Sequence, residues 1–491
     1  MNYLKLTSGA IKLISSNLAV AIINIMMMPF IIRIYNVEII GIAALIISIG
    51  SFVGSLSCFF YDISIMISET DEKAANLSAA SLCFVLISTV LSILLVLFFG
   101  DNIMRVFNIS NLRQYVWSIP FIAAIEGILL VFLMWNSRNN RFGHLAVCMV
   151  MSCFISGIIK LLCAYLGYIS IWAFIAGDII GKMASIFIQL NHLLRNDMDV
   201  LKKYISWKRI FLGISRYNKL LVFTSWSLLI QKINLKLPLW ILSSLFNPAI
   251  VGYYVICRMV LNAPFNFVGR GFSQVFFQQA SEYREDGLLN LVEAAYKRMA
   301  GFTILPFFLL LFIGKDIFAI LLGNRFAEAG VYAQVLSLEA FFSFAFWPLS
   351  RLLGVKEKYF RGLAINFVLL LASLSLLVAG YLTRDALFAI TIFGIISALA
   401  YLFSSLWLLS IAGLYSRTAF IYLTQGIVRY SPVFVLIVSV KFIIGIRDAK
   451  TLLILLFISS VYYLVTIIKD KKLVLAIRKS FSDMGSKCAY N

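Results

Sequence analysis

The sequence predicts an all-α polytopic membrane protein of about fourteen transmembrane helices, arranged as two pseudo-symmetric six-helix lobes followed by two C-terminal helices. Three observations carry this. Of the 491 residues, 62% are apolar and only 13% charged, and the mean hydropathy is +0.96, whereas a soluble domain is about half apolar and about 25% charged. The apolar residues form long continuous runs, not the ten-residue alternation of a barrel strand, so each run is read as a helix. Fourteen spans of about 20 residues leave only about 15 residues for each connection or tail, too few for a folded soluble domain. Neither GxxxxGK[ST] nor GxGxxG occurs. The chain therefore reads as a non-enzyme, with no catalytic residues and no cofactor.

Runs bounded by Gly, Pro or charge place the spans near 9–35, 39–67, 74–99, 114–136, 143–167, 170–191, 220–243, 248–273, 299–314, 331–354, 362–382, 386–411, 419–444 and 451–468. The first span runs well past the roughly 7–15-residue core of a signal peptide and lacks a small-residue cleavage pattern. It is read as a retained helix. Residues 1–191 then form the N-lobe with spans 1–6, 220–411 the C-lobe with spans 7–12, 412–468 spans 13 and 14, and 469–491 a basic cytoplasmic tail. The polar stretch 192–219, containing KKYISWKRIF, is expected to be a cytoplasmic linker able to lie on the membrane as an amphipathic helix.

The two halves carry a repeat. Asn36-Val-Glu-Ile-Ile-Gly41, between spans 1 and 2, matches Asn247-Pro-Ala-Ile-Val-Gly252, between spans 7 and 8, at an offset of 211 residues. Pro29 and Pro238 precede the two segments by seven and nine residues. A repeat of this kind predicts a cavity at the lobe interface, near the bilayer midplane.

Orientation follows from the basic residues. Of the 42 Lys and Arg, 24 fall in the tails and alternate connections that include 192–219; only seven, Arg105, Arg113, Lys315, Arg325, Arg384, Arg447 and Lys450, fall in the other connections. Both termini are therefore expected in the cytoplasm. The net charge of +20 is assigned to anionic membrane lipid and not to nucleic acid. Six of the seven cysteines sit in apolar runs, no CxxC occurs and there are only two histidines, so neither a disulfide framework nor a metal site is expected.

The remaining eleven cations lie within spans: Lys12, Arg33, Lys160, Lys182, Lys232, Lys236, Arg258, Arg270, Arg351, Arg429 and Lys441, against Asp62, Glu126, Asp178 and Glu339. Each costs about 2.5–3.5 kcal/mol at a helix centre and usually faces a bundle interior or wet cavity. Lys12, Arg33, Asp62, Arg270, Arg351 and Lys441 are near enough to a face to snorkel. Deeper, Lys232 and Lys236 repel each other at i,i+4 and need an outside anion, whereas Asp178 and Lys182 share the same spacing and suit an ion pair. Span 8 carries Arg258, Asn262, Asn266 and Arg270 at successive i+4 steps, one polar stripe interrupted by Pro264, Gly269 and Gly271. Lys232, Lys236, Arg258, Asn262, Asn266 and Arg270 are accordingly the expected substrate-binding residues. A net-basic cavity implies an anionic, phosphate-bearing substrate. Among the carboxylates, Glu126 is the first choice for an ion-coupling site, then Asp178, partly neutralised by Lys182, then Glu339, for which no partner is evident.

RIYNVEIIGIAALIISIGSFVGSLSCFFYDISIMISETDEKAANL, from Arg33 to Leu77, and CRMVLNAPFNFVGRGFSQVFFQQASEYREDG, from Cys257 to Gly287, resemble the oligosaccharide-lipid flippases of the multidrug/oligosaccharidyl-lipid/polysaccharide (MOP) exporter superfamily, specifically the Wzx-type O-antigen translocases. The resemblance implies a transporter in the bacterial inner membrane. It would move an undecaprenyl-diphosphate-linked oligosaccharide to the periplasmic leaflet by ion-coupled alternating access, with other polysaccharide-assembly proteins as possible partners. The competing readings are a membrane-embedded polysaccharide polymerase or ligase, which typically needs a large outer loop that this chain lacks, a lipid-linked peptidoglycan-precursor flippase and a multidrug antiporter.

Overall fold

The computed structural model describes residues 3–109, 113–265, 269, 272–273, 276, 280, 285–356, 358–443, 445–446 and 448–469. The described residues are helical throughout, without strands. Fourteen long helices correspond one to one to the predicted spans: α1 (Tyr3–Ile34), α2 (Val37–Leu56), α3 (Asp71–Val106), α4 (Ser118–Arg138), α5 (Phe142–Tyr165), α6 (Ile171–Asn196), α7 (Trp207–Leu245), α8 (Pro248–Pro264), α9 (Glu285–Leu322), α10 (Ala327–Leu349), α11 (Tyr359–Thr383), α12 (Ala386–Ile411), α13 (Ser416–Ile443) and α14 (Ala449–Lys469). Eleven of the described helices are long and apolar enough to cross a membrane. The three that fall short are α7, which carries Lys232 and Lys236, α8, described only to Pro264, and α14, apolar over Ala449–Tyr463. The fold is thus all-α and polytopic.

Two elements depart from the sequence expectation. The linker ends early: a short helix over Met198–Tyr204 is followed directly by α7 at Trp207, because Trp207 to Leu245 contains no proline before Pro238 to stop a helix. Span 2 is broken. α2 stops at Leu56, Phe59 and Phe60 take left-handed φ values of 47° and 64°, and a second helix resumes over Tyr61–Ile67. Two bulky residues in that region are strained, and the break frees the Ser55 carbonyl from the helical ladder, with consequences for Lys232 described below.

Helix packing repeats with a period of six. α1 packs on α5 as α7 does on α11; α5 on α6 as α11 on α12; α2 on α4 as α8 on α10; α3 on α4 as α9 on α10; and α4 on α6 as α10 on α12. These are the two lobes. α13 and α14 pack on α9, at the flank of the second lobe. Within the first lobe, α5 and α6 approach closely because Gly181 lies against the Ser152 carbonyl and Ser156, small residues that let backbones meet. The end of α4, the start of α5 and the end of α6 are tied together by Asp197, which accepts from Arg141 at 2.5 and 2.7 Å and from Trp135 Nε1 at 2.9 Å. Burial alone would raise the Asp197 carboxyl, but the hydrogen bonds from Arg141 and Trp135 outweigh it and hold it below the usual carboxylate range.

The lobes meet along α2 and α8, where the sequence repeat lies. Asn36 and Asn247 both occupy N-cap positions with extended backbone, and Asn247 accepts from the Ile250 N–H at 3.0 Å. Five residues on, Gly41 and Gly252 face each other across the interface. A Cβ on Gly252 would lie 2.1 Å from the Val37 carbonyl oxygen, and one on Gly41 2.2 Å from that of Pro248. Gly252→Ala is therefore expected to lower stability by about 1–3 kcal/mol through overpacking against backbone. Gly301→Ala, where a Cβ meets nothing within 4 Å, is expected to gain up to about 1 kcal/mol of helix propensity. Thermal unfolding of the two variants in detergent checks this; a Gly252 variant as stable as the parent would remove the steric claim.

At the same end four polar side chains cross between lobes. Arg33 donates to the Leu321 carbonyl at 2.7 Å, Arg325 to the Ile32 and Arg33 carbonyls, Asn108 to the Ser244 carbonyl at 2.7 Å, and Ser243 to the Phe107 carbonyl at 3.1 Å. At the opposite end the start of α7 leans on the first lobe through Arg209–Glu72 at 3.1 Å and a Tyr61 hydroxyl bond to the Ile214 carbonyl at 3.2 Å.

Candidate transport cavity

Between the lobes lies a cavity of about 910 Å³ lined by both halves of the chain, and beside it, within the first lobe, a second of about 620 Å³. Asn24, Lys160, Phe174 and Asp178 border both, so the two are contiguous. The charged lining is Lys160, Lys236, Arg258, Asp178 and Glu339 in the first, with Lys182 and Glu126 added in the second. Four cations against three carboxylates leave one excess positive charge.

The pairing of these groups differs from what spacing suggested. Arg258 Nη1 bonds Glu339 Oε2 at 2.6 Å and its Nε bonds the Tyr254 hydroxyl at 2.9 Å, one turn back on α8. Glu339, for which the sequence offered no partner, is 5% exposed and fully committed to Arg258. Lys182 bridges two acids, Asp178 Oδ2 at 2.6 Å and Glu126 Oε1 at 2.8 Å, and Ser51 donates to Glu126 at 3.1 Å. Glu126 is thus neither isolated nor distinct from Asp178; the two share one lysine and carry one uncompensated negative charge.

Lys232 and Lys236 separate. Lys232 does not line either cavity; its Nζ donates to the Ser55 carbonyl freed by the break after α2 and lies 4.9 Å from the Phe60 ring centroid. It caps a broken helix. Lys236 faces the central cavity with no carboxylate within 4 Å among the described residues. Asn262 lines the same cavity, whereas Asn266 and Arg270 lie outside the described residues.

Lys160 is the residue that the sequence reading did not select. It stands on α5 without a periodic partner, so nothing but its depth distinguished it from other intramembrane cations. In the fold its Nζ lies 4.4 Å from the Phe174 ring centroid, again with no carboxylate within 4 Å among the described residues. Its main-chain carbonyl accepts from the Tyr35 hydroxyl at 2.9 Å. Gly177 makes room for its stem, since a Cβ there would lie 2.6 Å from Lys160 Cγ. Among the aromatic residues, Tyr254, Trp347, Phe393 and Tyr401 line the cavity. Trp226 is exposed on the surface, and Trp240 is engaged with Ser48 at 2.9 Å and with the Phe52 ring. The arrangement offers two ammonium groups without a carboxylate within 4 Å among the described residues, a neutralised guanidinium, and amides from Asn17, Asn24, Asn234, Asn262 and Asn366 around a partly aromatic space. The chemistry of such a set suits an oxyanion attached to a hydroxyl-rich body.

Two solved structures share this architecture. The lipid II flippase MurJ in an inward closed conformation superposes with a TM-score of 0.69 at 15% identity, over 96% of this chain and 98% of that one. An inward-facing multidrug resistance MATE family transporter of the MOP superfamily gives 0.55 at 14% identity, over 84% and 96%. At these identities the likeness is one of fold. No curated protein matches the chain in sequence. The model of a family described as polysaccharide biosynthesis protein matches residues 30–331, more than half of the chain. On the strength of that match, and with the fold of the MOP-superfamily transporters, the chain belongs to the polysaccharide biosynthesis protein family.

Proposed function

We propose that the protein is a Wzx-type flippase that carries an undecaprenyl-diphosphate-linked oligosaccharide, an O-antigen or similar repeat unit, from the cytoplasmic to the periplasmic leaflet of the bacterial inner membrane. The observation that carries the reading is the pair Lys160 and Lys236, two cations facing one inter-lobe cavity without a carboxylate within 4 Å among the described residues. A diphosphate supplies the missing negative charge, with Asn262 along its path and sugars against the amides and Trp347. Both termini face the cytoplasm, so the end at which Gly41 meets Gly252 is periplasmic. Outward movement of two negative charges gains about 2.3 kcal/mol per charge per 100 mV of inside-negative potential.

Ion coupling belongs, in this reading, to Glu126 and Asp178 together. Two carboxylates sharing Lys182 can take up a proton or hard cation that a single ion-paired carboxylate would refuse. Arg258 and Glu339 form the internally neutral pair that holds α8 against α10. The decisive test is a deletion strain: lipid-linked repeat units should accumulate on the inner leaflet and disappear on complementation, and their absence there sinks the proposal. In proteoliposomes, Asp178→Asn should abolish the dependence of transport on an imposed ion gradient while substrate binding stays within about twofold; undiminished gradient dependence would remove Asp178 from the coupling site.

A further inference from the structure

A third cavity of about 540 Å³ lies away from the lobe interface, between α9, α13 and α14. Its walls come from the first half of α9, the first half of α13 and the last turn of α14, so it opens at the end where the odd-numbered helices begin. That is the end to which the Lys and Arg count assigns the cytoplasm. Lys297, Arg298 and Arg429 border it against one acid, Glu293, which already accepts from the Tyr422 hydroxyl. Lys297 Nζ stands 5.1 Å from the Tyr422 ring centroid, and Arg429 Nη2 donates to the Thr466 carbonyl at 2.7 Å. Among the described residues neither Lys297 nor Arg298 has a carboxylate within 4 Å. The chain that follows α14 adds five cations and two acids from Asp470 to Asn491, a net positive charge.

The wall also contains Gly301, one turn beyond Lys297 on α9, where a Cβ would meet nothing within 4 Å. Glycine inside a helix costs about 1 kcal/mol relative to alanine, and here no neighbour requires it. Its missing side chain instead leaves open volume beside the cations. Residues 290–298 precede the span read at 299–314, which sets Lys297 and Arg298 at the edge of the hydrocarbon, the level of lipid phosphates, and Arg429, ten residues into its own span, reaches toward the same end through its bond to the Thr466 carbonyl.

We propose that this cavity is a binding site for the phosphate headgroup of an anionic membrane lipid, held by Lys297, Arg298 and Arg429 with Gly301 admitting the group. The site deepens the association with anionic lipid expected from the chain's charge and stands apart from the central cavity, so its failure would leave the transport reading untouched. The test is native mass spectrometry of the purified full chain with phosphatidylglycerol, phosphatidylcholine or inorganic phosphate added separately. Wild-type protein should retain phosphatidylglycerol in preference to phosphatidylcholine. Lys297→Gln with Arg298→Gln, and separately Gly301→Leu, should each reduce that retention by about tenfold or more. Lys297→Arg with Arg298→Lys should keep it, showing that the fold survives change at these positions, and Lys236→Gln in the central cavity should leave it unchanged. Equal retention by wild type and both disruptive variants overturns the assignment, as does loss of retention in Lys236→Gln, or binding of inorganic phosphate without phosphatidylglycerol.

Discussion

A chain carrying Lys160→Gln and Lys236→Gln together is expected to lose repeat-unit translocation by at least about 100-fold. Charge-assisted hydrogen bonds contribute about 1.5–3 kcal/mol each, and two of them removed together correspond to two or more decades in affinity. Neither lysine holds a carboxylate within 4 Å among the described residues, so their loss breaks no direct ion pair there. Abundance and melting temperature should stay close to the parent. Each single variant should keep part of the activity, and a lysine-to-arginine exchange at Lys236 should keep most of it, because the charge remains. Measurement of lipid-linked repeat units in the outer leaflet of complemented cells checks the series. Full translocation by the double variant would show that the cavity cations do not hold the substrate.

Arg258→Ala is expected to behave oppositely. It leaves Glu339, 5% exposed, ionised without its partner, and breaking a buried pair in this way costs about 3–5 kcal/mol. Protein abundance and melting temperature should fall sharply. Arg258→Ala combined with Glu339→Gln should recover most of the loss, since the stranded charge is gone, while Arg258→Lys should recover less because it cannot reach Glu339 and the Tyr254 hydroxyl with one planar fork. Melting curves of the three purified variants decide it; a double variant no more stable than Arg258→Ala would show that the stranded carboxylate is not the cause. From sequence alone Arg258 reads as a substrate-binding residue. The pairing with Glu339 adds the expected effect on stability.

The architecture was legible because it rests on one-dimensional quantities. Run length identifies spans, and the hexapeptides at Asn36–Gly41 and Asn247–Gly252 mark the repeat, whose glycines turn out to touch. The pairing of charges was legible only when both partners lay on one helix, as for Asp178 and Lys182. Arg258 and Glu339 are 81 residues apart, and no spacing rule connects α8 to α10. The contacts of Lys232 are illegible for a related reason: they depend on a break after α2 that two phenylalanines, ordinary helix residues by propensity, do not announce. Lys160 was overlooked because a single cation on an otherwise apolar helix has no pattern to read.

The inter-lobe links at the α1–α2 end have a genetic corollary. Arg33, Arg325, Asn108 and Ser243 all donate to main-chain carbonyls, and no codon change deletes a carbonyl. Among the described residues, loosening of that contact through loss of a side-chain hydrogen-bonding group is therefore confined to four donor codons, two in each lobe, while the acceptor positions are silent to substitution. The two lobes can then drift in sequence at the acceptor positions without forcing compensation at the donors, so this end of the molecule tolerates divergence there without co-variation between the lobes.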